Sequence, residues 1–377
     1  MNKNIYVTQP LLPNLENLEK ELSEIWESKI VTNAGVKHNL LEEKLKEHLG
    51  VPNVSLFNNG TLALLTALKA LDLQLGSEVI TTPFTFAATP HCISWNGLKP
   101  VFCDIEPDTM CIDPEKIEEL ITENTSAILG VHVYGFPCQV EKIQKIADKY
   151  NLKVIYDGAH AFSTKINGTD IGNFGDITMF SFHATKLFTT IEGGCLTYRD
   201  EKLIRKIYNL RNFGIRGEDI VEDIGINGKM NEIQAAIGLL NLELYKNEQK
   251  KRKELREYYD KMLGNIEGIR IPKMPVNTTD SYQYYPIIVG DSYQMTRDEL
   301  YTSLRECGIY ARKYFYPICS DYEPYKNLPS SSPNNLPVAN EYKNKVLCLP
   351  FYGTLEEEYR KKICEKIIDA KTNIIFE

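Results

Sequence analysis

Six short apolar runs, separated by amphipathic segments, constrain the fold of this chain more than any other feature. The runs are residues 54–57, 79–81, 101–103, 127–133, 154–156 and 179–182, and most are rich in β-branched or aromatic side chains. Residues 61–71 and 140–150 are amphipathic segments of helical character between them. Continuous apolar strands that alternate with helices are typical of a largely parallel sheet covered on both faces. The sequence therefore predicts an α/β fold.

The texture of the sequence changes after Tyr245, where the charged run KNEQKKRKELREYYDKML begins. Such a run is typical of the solvated face of a long helix rather than of a binding surface. A chain of 377 residues suits one large domain and a smaller one. We therefore expect a large cofactor-binding domain at residues 1–245 and a small C-terminal domain at residues 246–377.

Charge and cysteine content limit the possible partners and compartments. The formal net charge of −8 gives no basic field that would favour nucleic acid. The cysteine count is nine, an odd number without metal-ligand spacing, so we expect reduced thiols and a cytoplasmic protein. Cys92, Cys103, Cys195 and Cys348 lie in apolar runs and are expected to be buried. We expect neither a signal peptide nor a membrane span, because no apolar run reaches about 18 residues.

Polar residues follow the predicted strands at the rim where ligands bind in such sheets. The first strand leads into Asn59, Gly60 and Thr61 and then directly into a helix. The free N–H groups and the dipole of a helix start favour an anion such as phosphate, although Thr61 as a plain N-cap is the alternative. The nucleotide motifs GxxxxGK[ST] and GxGxxG are absent.

Two later strands end beside an acid and a lysine. Asp157 closes the strand KVIYD, and Lys186 lies in SFHATKLFTTIEGG, just past the next strand. No second ligand follows Asp157 at metal-binding spacing, so no metal site is expected. A lone lysine is typically a solvated charge. An anion-binding turn, a buried acid and a lysine at one rim are nevertheless the set that pyridoxal phosphate requires for its phosphate, its ring nitrogen and its Schiff base.

With these residues in place, the chain resembles the DegT-type sugar-nucleotide aminotransferases, a branch of the fold-type-I pyridoxal-phosphate enzymes, over residues 6–355. The motifs that carry the resemblance are NNGTLAL (58–64), EVITTPFTFAAT (78–89), KPVFCDIEPDT (99–109), HVYGFPC (132–138), VIYDGAHAF (154–162), MFSFHATKLFTTIEGG (179–194), GINGKMNEIQAAIGLLNL (225–242) and LCLPFY (347–352). The resemblance implies a mostly parallel seven-stranded sheet between helices and a smaller α+β C-terminal domain.

The resemblance also implies residue roles. Lys186 matches the Schiff-base lysine, and Asp157 matches the acid that pairs with the pyridinium nitrogen. His160 stands where relatives often have a glutamine that contacts the phenolic oxygen of the ring. The other implied cofactor contacts are Gly60, Thr61 and Ser181 at the phosphate, Phe86 stacked on the ring, and Asn227 at the phosphate of the neighbouring subunit. The last contact implies a homodimer with shared active sites.

The family's substrates are keto sugars carried on a nucleoside diphosphate, with glutamate as the usual amino donor. The segments IYVTQPLLP, SLFNNGTLAL and ARKYFYP are similar to those of members that convert dTDP-4-keto-6-deoxyglucose to dTDP-4-amino-4,6-dideoxyglucose. Amination at carbon 3 is the alternative. Arg312, Lys313, Tyr314 and Tyr316 are expected near the diphosphate, or else form a tyrosine-rich packing edge. Many relatives have a histidine after the YxP motif, where this chain has Ile318 and Cys319.

Three other functions are possible for such a fold. A dehydratase of the family would have histidine at the position of Lys186. A non-catalytic regulatory protein would be expected to lose Lys186 or Asp157, and both are present. An amino-acid aminotransferase of the wider superfamily would differ in sequence around the lysine. Hydride transfer is disfavoured because the dinucleotide motif is missing.

Overall fold

A seven-stranded sheet forms the centre of the protein, whose computed structural model describes residues 4–369. The strands in this range are β1 (Ile5–Tyr6), β2 (Asn53–Phe57), β3 (Glu78–Thr81), β4 (Lys99–Phe102), β5 (Thr125–Val131), β6 (Lys153–Asp157), β7 (Lys165–Ile166), β8 (Thr169–Asp170), β9 (Ile177–Ser181), β10 (Gly194–Tyr198), β11 (Ile215–Gly217), β12 (Ile220–Val221), β13 (Ile269–Arg270), β14 (Thr278–Thr279), β15 (Tyr285–Val289), β16 (Ile309–Tyr310) and β17 (Val346–Leu349). The helices are α1 (Leu15–Ser28), α2 (Val36–Leu49), α3 (Gly60–Ala70), α4 (Ala88–Trp95), α5 (Val140–Tyr150), α6 (Lys202–Leu210), α7 (Glu232–Leu263), α8 (Arg297–Glu306), α9 (Pro337–Tyr342) and α10 (Glu357–Asp369).

The order of strands across the central sheet is β2-β10-β9-β6-β5-β3-β4. Strand β10 runs antiparallel to both neighbours, and the other neighbouring pairs are parallel. All six apolar runs of the sequence overlap strands of this sheet, and the two predicted helical segments are α3 and α5. The prediction of a mostly parallel seven-stranded α/β sheet is confirmed.

Alternate residues of the strands pack into different cores on the two faces of the sheet. Met179 of β9 and Leu196 of β10 belong to the same buried cluster as Leu64 of α3. Their chain neighbours Phe180 and Cys195 belong to another cluster, which contains Leu41 and Leu45 of α2. Because successive side chains of a strand point to opposite faces, this division shows that helices cover the sheet on both sides.

A smaller antiparallel sheet of β13, β15 and β17 follows in the C-terminal part, with a buried cluster of its own. Strand β1 pairs in parallel with β16, so the N-terminal segment joins this part of the fold. The predicted boundary after residue 245 lies within α7 and stays a prediction.

The charged run in α7 is solvated only in part. Glu248 and Arg252 are buried and form an ion pair of 2.7 Å, on the same face as the buried Tyr245, Leu255 and Tyr259. The expectation of a wholly solvated face is therefore wrong for this stripe of α7.

Within residues 4–369, no helix has the length and apolar character that a membrane span requires. The same range contains no cluster of three or more metal-ligating side chains. All nine cysteines are free, and eight of them are buried, including the four expected from the sequence.

Candidate active site

A cavity of about 630 Å³ lies at the ends of β2, β6 and β9 and brings together most of the predicted cofactor contacts. Seven of the eight line it: Gly60, Thr61, Phe86, Asp157, His160, Ser181 and Lys186. Parallel strands place their carboxyl ends at one edge of a sheet, which explains why residues so distant in sequence meet there.

The start of α3, residues 59–62, lines one side of this cavity, and we call it the anion cup. Asn59 is the N-cap, and its Oδ1 accepts a hydrogen bond of 2.9 Å from the amide of Leu62. The first turn of a helix presents N–H groups that have no intrahelical acceptor. Gly60 packs so closely on Ser181 that an added Cβ would lie 3.0 Å from the Ser181 Cβ. The lack of a side chain at Gly60 thus lets this helix start lie directly against Ser181, and the free backbone amides of its first turn are the donors that a phosphate requires.

Asp157 is buried at the end of β6 and both of its carboxylate oxygens are hydrogen-bonded. The amide of Ala159 donates to Oδ1 at 3.0 Å, and the hydroxyl of Thr89 donates to Oδ2 at 2.9 Å. Burial raises the pKa of the carboxyl above its ordinary value, while the two donors and the nearby Lys186 charge oppose that rise. The arrangement suits a carboxylate that pairs with a cationic ring nitrogen.

Lys186 lies in the turn that follows β9. Its backbone amide donates to the carbonyl of His183 at 2.8 Å, and its Nζ lies 5.8 Å from the ring centre of Tyr284. Burial lowers the pKa of the Lys186 amine to about 8, although the negative charge of Asp157 opposes this change. The neutral, nucleophilic fraction of this amine near neutral pH is therefore much larger than that of an ordinary lysine, whose pKa is about 10.4.

His160 is buried against aromatic rings at the wall of the cavity. Its Nδ1 accepts a hydrogen bond of 3.2 Å from the amide of Tyr134. The ring of Phe315 is parallel to it at 5.9 Å, and Tyr284 meets it edge-on at 4.9 Å. Burial, with the Lys186 charge as a second cause, holds the pKa of His160 well below its ordinary value.

Phe86 is 63% exposed although it lines the cavity. It also borders a second cavity of about 820 Å³, together with Trp95 and Ile224, which are 82% and 88% exposed. Large apolar side chains grouped at this level of exposure are typical of interaction surfaces.

The remaining predicted contacts, apart from Tyr314, do not line the cavity. Asn227 is exposed, and its backbone pairs with that of Asn212. Lys313 forms an ion pair of 2.5 Å with Asp298. Arg312 and Tyr316 also lie outside the cavity lining, whereas Tyr314 is part of it. The substrate-binding roles of these four residues and the partner contact of Asn227 stay predictions.

Several lining or supporting residues were missed at the level of the sequence. They are Thr89, His183, Glu192, Tyr284 and Phe315. Three of them, Thr89, His183 and Glu192, lie within motifs that already carried the family resemblance, so proximity to Lys186 or to the Phe86 loop was the available signal. Tyr284 and Phe315 come from the C-terminal part of the chain. Phe315 lies in the segment ARKYFYP, between the predicted contacts Tyr314 and Tyr316, whereas no local pattern marks Tyr284.

Comparison with known proteins finds relatives over nearly the whole chain. A transaminase from Escherichia coli, dTDP-4-amino-4,6-dideoxy-D-glucose transaminase, is 47% identical to the chain over 97% of its length and 99% of the relative. The structure of DesI in the presence of its TDP-sugar product superposes with a TM-score of 0.93 at 30% identity, covering 98% of this chain and 94% of that one. A structure from Streptococcus pneumoniae, assigned as a sugar aminotransferase and in its PMP form, has a TM-score of 0.90 at 26% identity, covering 98% of each chain.

The fold is thus that of the fold-type-I aminotransferases, as predicted. Residues 14–368 match one sequence family throughout, which is nearly the full length described. The chain belongs to the DegT/DnrJ/EryC1/StrS aminotransferase family.

Proposed function

We propose that the protein is a pyridoxal-phosphate-dependent aminotransferase that moves an amino group from glutamate to dTDP-4-keto-6-deoxyglucose and forms dTDP-4-amino-4,6-dideoxyglucose. The observation that carries the proposal is that one cavity contains Lys186, whose pKa is lowered to about 8, the buried acid Asp157 and the anion cup at Gly60. This set suits an amine that must be nucleophilic, a ring nitrogen and a phosphate.

The residues of the cavity fit pyridoxal phosphate. When bound, this cofactor supplies an electron-withdrawing ring that accepts the electrons of the substrate carbon. Gly60, Thr61 and Ser181 would hold its phosphate, and Asp157 would keep its ring nitrogen protonated. Lys186 would attach it and later move a proton as the base, since burial has already lowered its pKa. Phe86 would cover the ring and exclude water.

The choice of sugar rests on the relatives. The 47% identical transaminase is named for dTDP-4-amino-4,6-dideoxy-D-glucose, and the superposed DesI structure was solved with a TDP-sugar product. Tyr314 lines the cavity from the C-terminal part, on the side where we expect the nucleotide-linked sugar to enter. We expect Arg312, Lys313 and Tyr316 to contact the diphosphate outside the cofactor cavity.

We further propose a homodimer with two shared active sites. Asn227 is exposed and lies outside the cavity of its own chain, so its family role requires the cavity of a partner. The exposed group of Phe86, Trp95 and Ile224 gives an apolar surface that a second copy could cover. Covering Phe86 would also close the cofactor cavity against water.

Product analysis tests the reaction. The protein would be incubated with glutamate and a panel of dTDP-linked 4-keto and 3-keto sugars, with Lys186→Ala protein as the control. Mass and NMR spectra should show an amine at carbon 4, formed only by the unaltered protein. An amine at carbon 3 would establish the alternative regiochemistry. Amination of a 2-keto acid but of no keto sugar would overturn the proposal.

A further inference from the structure

We propose that the Tyr134–Gly135 turn is a positioning element that holds His160 as the neutral tautomer with its proton on Nε2, so that a single N–H donor faces the cavity. The turn lies beyond the end of β5, and His160 lies beyond the end of β6, the neighbouring strand. The acceptor of this N–H, the phenolic oxygen of the cofactor, rests on the proposed function. The assignment of the tautomer is independent of the proposed function.

The direction of one hydrogen bond sets the tautomer. The amide of Tyr134 lies 3.2 Å from Nδ1 of His160, and a backbone N–H can only donate. Nδ1 must therefore offer its lone pair, and the proton of a neutral imidazole must be on Nε2. Within residues 4–369, Nε2 makes no hydrogen bond, and it is not completely shielded from solvent. It therefore remains accessible from the cavity that His160 lines.

Both residues of the turn have positive φ angles, and this backbone conformation accompanies the contact of the Tyr134 amide with His160. Tyr134 has φ 55° and ψ 8°, a left-handed conformation that is uncommon for a residue with a Cβ. Gly135 follows with φ 99°. The Tyr134 hydroxyl also donates to the carbonyl of Tyr314, which anchors the side chain while the amide faces His160. Strain at a functional site persists when surrounding contacts over-determine it, and these contacts do so here.

The space around Gly135 is equally restricted. A Cβ at this position would lie 2.2 Å from Oγ of Ser281 and 3.1 Å from the carbonyl oxygen of His160. Ser281 itself donates to that carbonyl at 2.8 Å. The turn is thus packed directly against the backbone of the histidine that its amide orients, and only glycine fits.

The surroundings also keep the ring neutral. The groups that face it are the rings of Tyr134, Tyr284 and Phe315 and the amine of Lys186. Burial among these rings removes the ring of His160 from water, and this desolvation, with the charge of Lys186 as the second cause, disfavours an imidazolium and lowers the pKa of His160 well below its ordinary value. A neutral donor can stabilise an anionic oxygen without offering a second exchangeable proton. Proton movement is then left to Lys186.

Nitrogen NMR of histidine-labelled protein tests the tautomer directly, with and without pyridoxal phosphate. The His160 resonances are identified by their loss in His160→Gln. We expect an unprotonated Nδ1 and a protonated Nε2, unchanged between about pH 6 and about pH 9. A protonated Nδ1, or titration of the ring in this range, would overturn the proposal. The result is independent of whether any sugar is aminated.

Two other histidines serve as internal references. Nδ1 of His132 accepts from the amide of Cys138 at 3.0 Å, so it should show the same tautomer away from the cavity. Both ring nitrogens of His38 face acceptors, Nδ1 the carbonyl of Met230 at 3.2 Å and Nε2 the carboxylate of Glu42 at 3.2 Å. Because a carbonyl oxygen can only accept, His38 should show a protonated Nδ1 and gives the reference signal for that state.

The role of the turn is tested by Gly135→Ala, with Gly168→Ala as the matched control. Gly168 has φ 81° but open space around an added Cβ, so it shares the backbone strain without the collision. We expect Gly135→Ala to release Nδ1 and to give mixed tautomers at His160, while Gly168→Ala leaves the signals unchanged. A single unchanged tautomer in folded Gly135→Ala protein would contradict a positioning role.

If Gly135→Ala does not fold, the double variant Gly135→Ala/Ser281→Ala removes the closest collision and can be compared with Ser281→Ala alone. We expect mixed tautomers in the double variant and the native tautomer in Ser281→Ala.

The role of the His160 N–H as a hydrogen-bond donor is tested with His160→Gln and His160→Leu. The glutamine variant should retain the visible band of bound cofactor and its pH titration, whereas the leucine variant should shift that titration and lose about tenfold or more in turnover. If the visible band and its pH titration were identical in the two variants, His160 would not act as a hydrogen-bond donor to the cofactor. Failure of all forms to bind pyridoxal phosphate would reject the proposed function and leave the tautomer result standing.

Discussion

The hydroxyl of Thr89, in the first turn of α4, donates a hydrogen bond of 2.9 Å to Oδ2 of Asp157 at the end of β6. The hydroxyls of Thr89 and Thr85 also lie 2.9 Å apart. Since the amide of Ala159 donates to Oδ1, each oxygen of the buried carboxylate has its own donor. Donors of this kind favour the charged form and so oppose the desolvation that raises the pKa.

Thr89→Val should therefore weaken the ionised state of Asp157. Loss of a donor raises the pKa of this carboxyl further, so the charge required at the ring nitrogen is lost at a higher pH as the solution is acidified. We expect the acid limb of the turnover profile to move to higher pH. A hydrogen bond to a charged group is worth about 1.5–3 kcal/mol, which sets an upper limit of roughly 10- to 100-fold on the loss of turnover. Steady-state rates measured over a range of pH give both the position of the acid limb and the loss of turnover.

Thr66→Val is the matched control for that experiment. Thr66 is also a buried threonine on a helix, but its hydroxyl donates to the carbonyl of Leu62 within α3. It should leave the acid limb in place. An acid limb that is the same in Thr89→Val as in the unaltered protein would show that Thr89 does not support the charge of Asp157.

Asp157→Asn should fold normally and lose most of its activity. The amide keeps the shape of the side chain but cannot neutralise a protonated ring nitrogen. Removal of one preorganised electrostatic group typically costs about 2.7–4 kcal/mol, or about a hundred- to a thousandfold in turnover. Asp176→Asn, which removes an acid paired with Lys153 at the other end of β6, is the control. Turnover close to normal in Asp157→Asn would contradict the proposed pairing with the ring.

The parts of the fold that the sequence predicted are those with a local pattern. The buried parallel strands appear as apolar runs, because both of their faces are covered. Strand β10 was missed because GCLTY mixes apolar and polar residues, and its antiparallel direction depends on pairing with β2 and β9. The buried stripe of α7 was missed for a similar reason, since Glu248 and Arg252 are enclosed only when the C-terminal part packs against them.

The same limit applies to the site. Lys186 and Asp157 could be proposed from motifs at strand ends. Thr89 lies in the same motif as Phe86, but its role could not be proposed, because its bond to Asp157 spans 68 residues and no periodicity signals it. The amide of Tyr134 that orients His160 was equally hidden, because backbone donors leave no mark on residue type.

Cofactor loading should depend on pH with a midpoint far below that of an ordinary lysine. The reacting form is the neutral amine, and burial lowers the pKa of Lys186 to about 8. The rate at which cofactor-free protein takes up pyridoxal phosphate should thus rise through about pH 8 and then level off. The charge of Asp157 raises this pKa, so Asp157→Asn should move the midpoint to lower pH. Stopped-flow absorbance gives the rates. A rate that still climbs beyond about pH 10, as for an exposed lysine, would contradict the burial argument.

Borohydride reduction of the loaded protein should fix a pyridoxyl group on Lys186. Lys186 is the lysine that lines the cavity. Lys153 is exposed and paired with Asp176, so it should stay unlabelled. Peptide mapping by mass spectrometry locates the label. Lys186→Ala should lose the label and Lys153→Ala should retain it. A label on any other lysine would defeat the assignment of Lys186.

Mixed dimers test whether the active sites are shared. Asn227 is exposed and outside the cavity of its own chain, so we expect it to act at the phosphate bound by the partner. Lys186→Ala removes the amine from one chain, and Asn227→Ala removes the contact offered by the other. One lost hydrogen bond to a charged phosphate costs about 1.5–3 kcal/mol, so strong impairment by Asn227→Ala must be shown first. Asn212→Ala, at the residue whose backbone pairs with Asn227, is the control for local damage to the loop.

The two inactive variants are then mixed under conditions that exchange subunits. In a symmetric dimer with shared sites, one site of each mixed dimer contains both substitutions and the other contains neither. Activity should therefore return, to about half of the unaltered rate per mixed dimer. If each site is built from one chain only, both sites of the mixed dimer stay damaged and no activity returns. Mass spectrometry of differently tagged chains confirms that mixed dimers have formed. Confirmed mixed dimers without recovered activity would leave Asn227 as a loop residue of its own subunit and would end the case for a shared site.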